Sequence, residues 1–226
     1  MKKLGLIGGT SWHSTIEYYK GINAGVSREI GSDSNPVLIL YSINIQLMRS
    51  GNVDEINSNY LAIAKKLQTL GAEGIIICAN TPHLTYDYVQ PKIDIPILHI
   101  ADSIGKYAQN QAIHTLGLLG TTPTAQGSFI TTYLENNYNI PVILPTDKRQ
   151  SEIHDFISNE LTQGQFTSNA KSFFIEEMNN LKSEGAKGII LGCTELPILL
   201  EQSDFDLPLI NTTQLHIQDA VRFILD

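Results

Sequence analysis

Residues 71–83 read GAEGIIICANTPH, and residues 185–197 read GAKGIILGCTELP. In each stretch a glycine-bounded apolar run leads to a cysteine and then to polar residues with a nearby proline. A short apolar run bounded by Gly or Pro is typical of a strand that is buried on both faces. The two stretches therefore predict two equivalent strands, each with a cysteine at its carboxyl end.

Other segments repeat in the same order around these stretches. Residues 4–8 (LGLIG) match 116–120 (LGLLG), and residues 94–98 (DIPIL) match 206–210 (DLPLI), both at an offset of 112. The cysteine stretches match at an offset of 114, and the segments at Pro36 and Pro141 match less well, at 105. Ordered matches at nearly one offset favour an internal repeat over chance. The chain therefore reads as two related halves.

Eight apolar runs predict eight strands. They are 4–7, 37–41, 75–78, 95–100, 116–119, 140–144, 189–191 and 207–210. Segments of helical period lie between them, with Gly71 and Gly185 as stop signals and Ser14 to Glu17 in the spacing of a capping box. Strands that alternate with helices predict an α/β fold with two pseudo-symmetric lobes, each a four-stranded parallel sheet flanked by helices.

Composition excludes several classes of protein. With 226 residues, 42% of them hydrophobic, the chain can bury a core without disulfides or a structural metal. Lys and Arg total 15 against 23 Asp and Glu, a net charge of −8, and no basic run exceeds two residues, which excludes a nucleic-acid groove. No apolar stretch is long enough to span a membrane. We expect a cytoplasmic protein in which Cys78 and Cys193 are free thiols.

The two cysteines form a chemically useful pair if the lobes are related by a pseudo-dyad. Cys78 and Cys193 would then lie on opposite walls of one cleft, at the carboxyl ends of parallel strands, where such folds carry their sites. One thiolate could remove a proton from a carbon while the other thiol supplies a proton from the opposite side. Residues 81–82 and 195–197 look like helix beginnings, which would lower the pKa of each thiol and offer backbone N–H groups to a carboxylate.

Other interpretations of the cysteines are weaker. A single buried cysteine is usually a small hydrophobic residue, but two at repeat-equivalent positions favour a function. A disulfide does not suit a reducing compartment. Zinc lacks support, because Cys78 and His83 have no second close ligand pair. We therefore predict no metal site.

Several polar residues follow strands at the same sheet edge. Thr10, Ser11 and Thr121 end such strands, so their hydroxyl groups and amides should line the cleft. Neither a GxGxxG nor a Walker motif accompanies them, which argues against nucleotide binding. The cations Arg49, Lys148 and Arg149 could read a side-chain carboxylate, although each also fits a solvated surface charge. His83 could assist Cys78 or simply pack.

The chain resembles the cofactor-independent aspartate/glutamate racemases over essentially its whole length. The likeness lies in GLIGGTSWHST (5–15), CANTPH (78–83), LLGT (118–121) and GCTE (192–195). It implies catalysis without a cofactor and Cys78 and Cys193 as the acid/base pair. Ser11, Asn80, Thr81, Thr121, Thr194 and Glu195 are implied as residues lining the substrate site.

The resemblance also implies an assembly and a domain layout. Relatives are frequently homodimers, and the final helix, about 213–225, packs on the first lobe. The lobes would then comprise residues 1–102 plus 211–226, and residues 103–210.

We therefore predict a racemase of free amino acids, aspartate or glutamate first, that uses a two-base mechanism. Thr10 and the stretch 45–49 depart from the pattern of many relatives, so a broader set of amino acids stays open, with Gln46 as a further candidate substrate contact. Maleate isomerase or hydantoin racemase activity is an alternative within the superfamily. A non-catalytic, bilobed amino acid-binding protein is an alternative from another class.

Overall fold

The computed structural model describes all residues from Met1 to Asp226. The chain forms two compact units, which we describe separately. Unit 1 comprises Met1–His99 and His216–Asp226, and unit 2 comprises Ile100–Leu215. The sequence placed these divisions at residues 102 and 211.

The eight strands are β1 (Leu4–Gly8), β2 (Leu38–Ser42), β3 (Gly74–Ile77), β4 (Ile97–Leu98), β5 (Leu116–Leu119), β6 (Val142–Ile143), β7 (Ile189–Leu191) and β8 (Leu209–Asn211). The helices are α1 (Trp12–Ile30), α2 (Gln46–Arg49), α3 (Val53–Thr69), α4 (Tyr86–Val89), α5 (Ile100–Asn110), α6 (Thr122–Gln126), α7 (Thr131–Tyr138), α8 (Asp147–Asn159), α9 (Ser168–Ser183), α10 (Leu196–Leu199) and α11 (Thr212–Leu225). Short 3₁₀ helices lie at Thr81–Thr85, Gln90–Lys92, Leu161–Gln163 and Gln202–Asp204.

The sheet of unit 1 has the order β2-β1-β3-β4, and its paired strands are parallel. Alternate residues of β1 and β3 face opposite sides. Ile7 and Ile77 pack with the apolar face of α3, whereas Leu6 and Ile76 pack with α1 and α11. Burial on both faces explains why these strands read as continuous apolar runs.

The sheet of unit 2 repeats this arrangement with the order β6-β5-β7-β8, again parallel. One face packs against α8 and α9, and the other against α5 and α7. The predicted α/β fold with two four-stranded parallel sheets is therefore confirmed, and all eight predicted strands are present.

Local details differ from the sequence prediction. Most strands are shorter than their apolar runs, and β4 and β6 have only two residues each. The predicted capping box at Ser14 is wrong. Helix α1 begins at Ser11, whose hydroxyl accepts a hydrogen bond from the Ser14 N–H at 3.2 Å. The Ser14 hydroxyl itself is buried and donates to the backbone carbonyl of Cys78 at 2.8 Å.

The two glycine stop signals are confirmed. Gly71 has φ of 85° and Gly185 has φ of 113°, each just after one of the equivalent helices α3 and α9. These left-handed conformations favour glycine because it lacks a Cβ atom. Both glycines turn the chain into the strand that carries a cysteine at its end.

Candidate active-site residues

The two cysteines occupy corresponding places in the two sheets. Cys78 directly follows β3, and Cys193 follows β7 after one intervening glycine. In each sheet, this strand lies between the first strand of the unit and an edge strand. We call residues 78–83 and 193–197 the cysteine loops of units 1 and 2.

Cys78 is held by backbone hydrogen bonds and is 1% exposed. Its N–H donates to the Ile7 carbonyl at 2.9 Å, which continues the pairing of β1 with β3. Burial raises the pKa of the Cys78 thiol above its ordinary value. The predicted lowering of the pKa is therefore wrong for this thiol. The loop forms only a short 3₁₀ helix at Thr81–Thr85, and the cost of removing a thiolate from water dominates.

Asn80 and Thr81 both lie in the cysteine loop of unit 1. Asn80 is buried, and its carbonyl accepts hydrogen bonds from the N–H and the Nδ1 of His83, each at 3.0 Å. Thr81 is half-buried and begins the 3₁₀ helix, with Pro82 in its first turn. The expected helix beginning is thus present as a 3₁₀ helix.

Thr10 and Ser11 follow β1, the neighbour of β3. Gly9, with φ of 95°, turns the chain there. The hydroxyl groups of Thr10 and Tyr60 lie 3.3 Å apart, within hydrogen-bond distance. Ser11 serves as the N-cap of α1. Both predicted residues therefore lie at the carboxyl end of the sheet of unit 1.

Gln46 lies in the short helix α2 after β2, and its side chain is exposed. Its backbone N–H donates to Asn44 Oδ1 at 2.9 Å. Its role as a substrate contact stays a prediction.

Cys193 lies beside a carboxylate. Its Sγ donates to Oε2 of Glu195 at 2.9 Å, and the Thr194 hydroxyl donates to the same oxygen at 2.7 Å. Burial and the negative charge of Glu195 raise the pKa of Cys193 well above its ordinary value. The predicted lowering is wrong here too. The three predicted residues Cys193, Thr194 and Glu195 do form one hydrogen-bonded group.

Thr121 follows β5, the neighbour of β7, and is the N-cap residue of α6. Its hydroxyl lies 3.2 Å from that of Thr124. Helix α8 holds this segment, because Nε2 of Gln150 donates to the Gly120 carbonyl at 2.8 Å. Thr121 is thus placed at the carboxyl end of the sheet of unit 2.

The cations considered from the sequence have other surroundings. Arg149 pairs with Glu152, Glu176 and the buried Glu177, at 3.0, 3.2 and 2.5 Å respectively. These three carboxylates surround its guanidinium, so Arg149 is a structural residue of unit 2. Arg49 and Lys148 are exposed.

Sequence reasoning missed a group of buried histidines in unit 1. The rings of His83 and His99 lie 4.9 Å apart, and those of His83 and His216 lie 5.4 Å apart. Burial lowers the pKa of His83 to about 4 and that of His99 to about 2, and lowers the pKa of His216 as well. These histidines are therefore neutral at pH 7.

His216 links three elements of unit 1. Its Nε2 lies 2.8 Å from the Leu98 carbonyl, which can only accept a hydrogen bond, so Nε2 carries the proton. Its Nδ1 must then accept from the Tyr18 hydroxyl, 2.8 Å away. This network joins α11 to α1 and to the end of β4.

No group of three or more His, Cys, Asp or Glu side chains is arranged to hold a metal ion. No helix combines the length and the apolar character that crossing a membrane requires.

Comparison with known proteins identifies the family. Residues 7–220 match the family described as Asp/Glu/Hydantoin racemase. The chain belongs to this racemase family. A protein from Yersinia pestis with a known crystal structure is 34% identical in sequence to this chain. The match covers both chains completely, and the two structures superpose with a TM-score of 0.95.

Further relatives agree with this assignment. An aspartate racemase homologue from Pyrococcus horikoshii OT3 is 32% identical, with complete coverage of both chains and a TM-score of 0.87. The broad specificity amino-acid racemase RacX from Bacillus subtilis (strain 168) is 24% identical over 217 residues, covering 93% of this chain and 92% of the relative. The predicted family and the predicted enzyme class, an isomerase of the racemase type, are confirmed.

Proposed function

We propose that this member of the racemase family interconverts L- and D-amino acids, with Cys78 and Cys193 as its acid/base pair. The observation that carries the proposal is the matched position of the two thiols. Each follows the corresponding strand in two sheets of identical strand order. Packing alone gives no reason for the repeat to keep a cysteine at both positions.

The proposed reaction conserves protons and charge. One cysteine, as thiolate, takes the α-proton, so that the Cα–H bond breaks and an S–H bond forms. The other cysteine, as thiol, then gives its proton to the opposite face of the planar carbanion and becomes a thiolate. The roles are exchanged for the other enantiomer, which is the requirement for a racemase that uses two bases.

The carbanion needs electrostatic stabilisation because no cofactor is invoked. We assign this role to backbone N–H groups near Asn80, Thr81 and Thr194, which would hold the α-carboxylate as its charge builds. Thr10, Ser11 and Thr121 would complete the polar lining. Gln46, on the short helix α2, is a further candidate substrate contact.

The reaction requires one thiolate, yet the surroundings of both cysteines raise their pKa values. Glu195 offers a solution for Cys193, because its carboxylate already accepts the hydrogen bond from Sγ. Transfer of this proton to Glu195 generates the thiolate without a change in net charge. We therefore propose Glu195 as the proton acceptor that activates Cys193.

The substrates are amino acids with a free α-carboxylate. Aspartate and glutamate are the first candidates, because the family is named for both and the Pyrococcus relative is named for aspartate. A broader set of substrates is also supported, because the Bacillus relative is named for broad specificity.

Incubation with single enantiomers in D2O tests the proposal. NMR would follow the loss of the α-proton while optical rotation follows inversion. Two thiols predict that the early product carries deuterium while the remaining substrate keeps its hydrogen. Conversion of maleate or a hydantoin alone, or binding without α-proton exchange, would contradict the proposal.

Cys78→Ala and Cys193→Ala are each expected to slow racemisation by at least about 10²-fold, the lower end of a general acid/base contribution. Thr162→Ala, at an exposed position of unit 2, is the control and should retain the rate. Thermal melting would show that all three variants are folded. Full activity in either cysteine variant would refute the assignment.

The homodimer and the cytoplasmic location stay predictions. Light scattering coupled to size-exclusion chromatography tests the first, with an expected mass of twice 25.0 kDa. A mass of 25.0 kDa would contradict it.

A further inference from the structure

Tyr60 is a buried residue that the proposed reaction does not yet use. It lies on α3 and is 1% exposed, and its ring packs among aliphatic side chains that include Ile7, Ile56 and Ile77. Its hydroxyl group lies 3.3 Å from the hydroxyl group of Thr10. A buried phenol needs such a partner, because an unpaired hydroxyl group is costly to remove from water.

The internal repeat shows that packing does not require this hydroxyl group. Helices α3 and α9 correspond at an offset of 114, which pairs Leu67 with Leu181 and Tyr60 with Phe174. Phe174 is 0% exposed and belongs to the core of unit 2. The same helix position is therefore filled by an aromatic ring in both units, and only unit 1 adds a polar atom.

The hydroxyl pair lies at the functional edge of the sheet of unit 1. Thr10 follows β1 and Cys78 follows β3, and these strands are hydrogen-bonded neighbours in which Ile7 pairs with Ile77. The Cys78 N–H also donates to the Ile7 carbonyl. An ionised Cys78 would be close enough to Tyr60 to raise the pKa of its phenol further, in addition to the effect of burial. The phenol therefore keeps its proton as Cys78 ionises.

We propose that Tyr60 is a positioning residue for the Cys78 half of the reaction, acting through the Thr10 hydroxyl. This inference rests on the proposed function. Tyr60 fixes the Thr10 hydroxyl at the end of β1, so that a neutral O–H dipole stays beside the thiolate of Cys78 and the substrate. In unit 2, Phe174 occupies the corresponding position and supplies no such dipole. None is needed there, because the Glu195 carboxylate accepts a hydrogen bond directly from the Cys193 thiol.

Exchange of α-protons in single-cysteine variants tests this role. In Cys193→Ala, Cys78 is the sole thiol and should exchange the α-proton of one enantiomer into D2O. Adding Tyr60→Phe should slow this exchange about threefold to tenfold, the worth of one neutral hydrogen bond. Adding Tyr60→Phe to Cys78→Ala should slow the exchange driven by Cys193 much less. Equal slowing in both backgrounds would indicate a general structural effect and overturn the proposal.

Thr10 variants provide the second arm. Thr10→Val should slow the exchange at least as much as Tyr60→Phe, and the double variant should be no slower than Thr10→Val alone, since Tyr60 acts through Thr10. Thr10→Ser keeps the hydroxyl group and should restore the exchange rate. Independent, multiplying effects of the two substitutions would contradict the proposed path through Thr10.

A thiol measurement separates this proposal from the racemase assignment. The rate at which iodoacetamide alkylates Cys78 in Cys193→Ala would be measured against pH by mass spectrometry. Tyr60→Phe should move the midpoint of this profile to higher pH, whether or not any amino acid is turned over. An unchanged midpoint in the folded variant would overturn the role of Tyr60. Absence of exchange in every variant, with the midpoint shifted, would instead contradict the racemase assignment alone.

Discussion

Units 1 and 2 have the same strand order, but they bury different kinds of polar side chain. Unit 1 buries neutral polar groups, namely the Tyr60 phenol and a group of histidines that includes His83 of its cysteine loop. Unit 2 places the carboxylate of Glu195 on its cysteine and buries a second carboxylate, Glu177, against Arg149. The shared topology therefore fixes where each thiol lies, while side chains that differ between the two units determine the electrostatic surroundings of each thiol.

This difference follows from the positions at which the repeat is not exact. Asn80 lies two residues after Cys78, whereas Glu195 lies two residues after Cys193. Burial alone raises the pKa of Cys78, whereas burial and a negative charge act together on Cys193. Two similar folds thus place two thiols in different electrostatic surroundings.

The largest stability difference should come from the buried carboxylate of unit 2. Arg149→Met leaves Glu177 with only the Asn180 side-chain amide, which donates to it at 3.2 Å. An uncompensated buried charge should lower the free energy of unfolding by about 3 kcal/mol. Urea denaturation would measure this change.

Lys148→Met is the matched control for this prediction, because Lys148 directly precedes Arg149 in the sequence and its side chain is exposed. It should change the free energy of unfolding by less than about 0.5 kcal/mol, as is usual for a surface substitution. A similar result for both variants would show that the ion pairs of Arg149 do not stabilise unit 2.

Acid should act on unit 1 through its buried histidines. In the unfolded chain the His83 imidazole has the ordinary histidine pKa of about 6.5. In the folded protein, burial lowers the pKa of His83 to about 4. The unfolded state therefore gains protons first as the pH falls, and stability present above pH 6.5 is lost between pH 6.5 and 4. At pH 5, His83 alone should contribute a loss of about 2 kcal/mol.

Denaturation at pH 7 and pH 5 checks this expectation. His83→Gln should reduce the difference in unfolding free energy between the two pH values. His114→Gln, at an exposed position of unit 2, should leave it unchanged. Equal pH dependence in the wild type and His83→Gln would contradict the assignment of acid sensitivity to this histidine.

The smallest effects should come from the matched helix caps. Asn52 caps α3 through a hydrogen bond from the Glu55 N–H at 3.2 Å, and Thr167 caps α9 through one from the Ala170 N–H at 3.1 Å. Replacement of either residue by Ala should lower the free energy of unfolding by about 1 kcal/mol. Thr167→Ala should cost more, because its hydroxyl also donates to Glu160 at 3.0 Å. Thermal melting that ranks Asn52→Ala as the more damaging change would contradict this comparison.

The fold was predictable because its signals are local. Continuous apolar runs between Gly or Pro mark strands that are buried on both faces, and the repeat supplies each such run twice. The positions of Cys78 and Cys193 at strand ends follow directly from these signals. The predicted capping box is wrong because the helix begins earlier, at Ser11, whose hydroxyl caps it. The Ser14 hydroxyl instead donates a hydrogen bond to the carbonyl of Cys78.

The chemistry of the site was less predictable because it depends on distant residues. The hydrogen bond between Thr10 and Tyr60 spans 50 residues, and the one between Tyr18 and His216 spans 198. No local sequence pattern predicts contacts between residues so far apart in the chain. The pKa values of the thiols were predicted in the wrong direction for the same reason, since the burial that raises them is created by the tertiary structure.

The hydrogen bond from His216 to the Leu98 carbonyl also makes this ring a natural reporter. Its Nε2 proton is enclosed by α11, α1 and the end of β4, so it can exchange with solvent only when these elements separate. A slowly exchanging imidazole N–H resonance would therefore record local opening of unit 1 independently of the backbone amides.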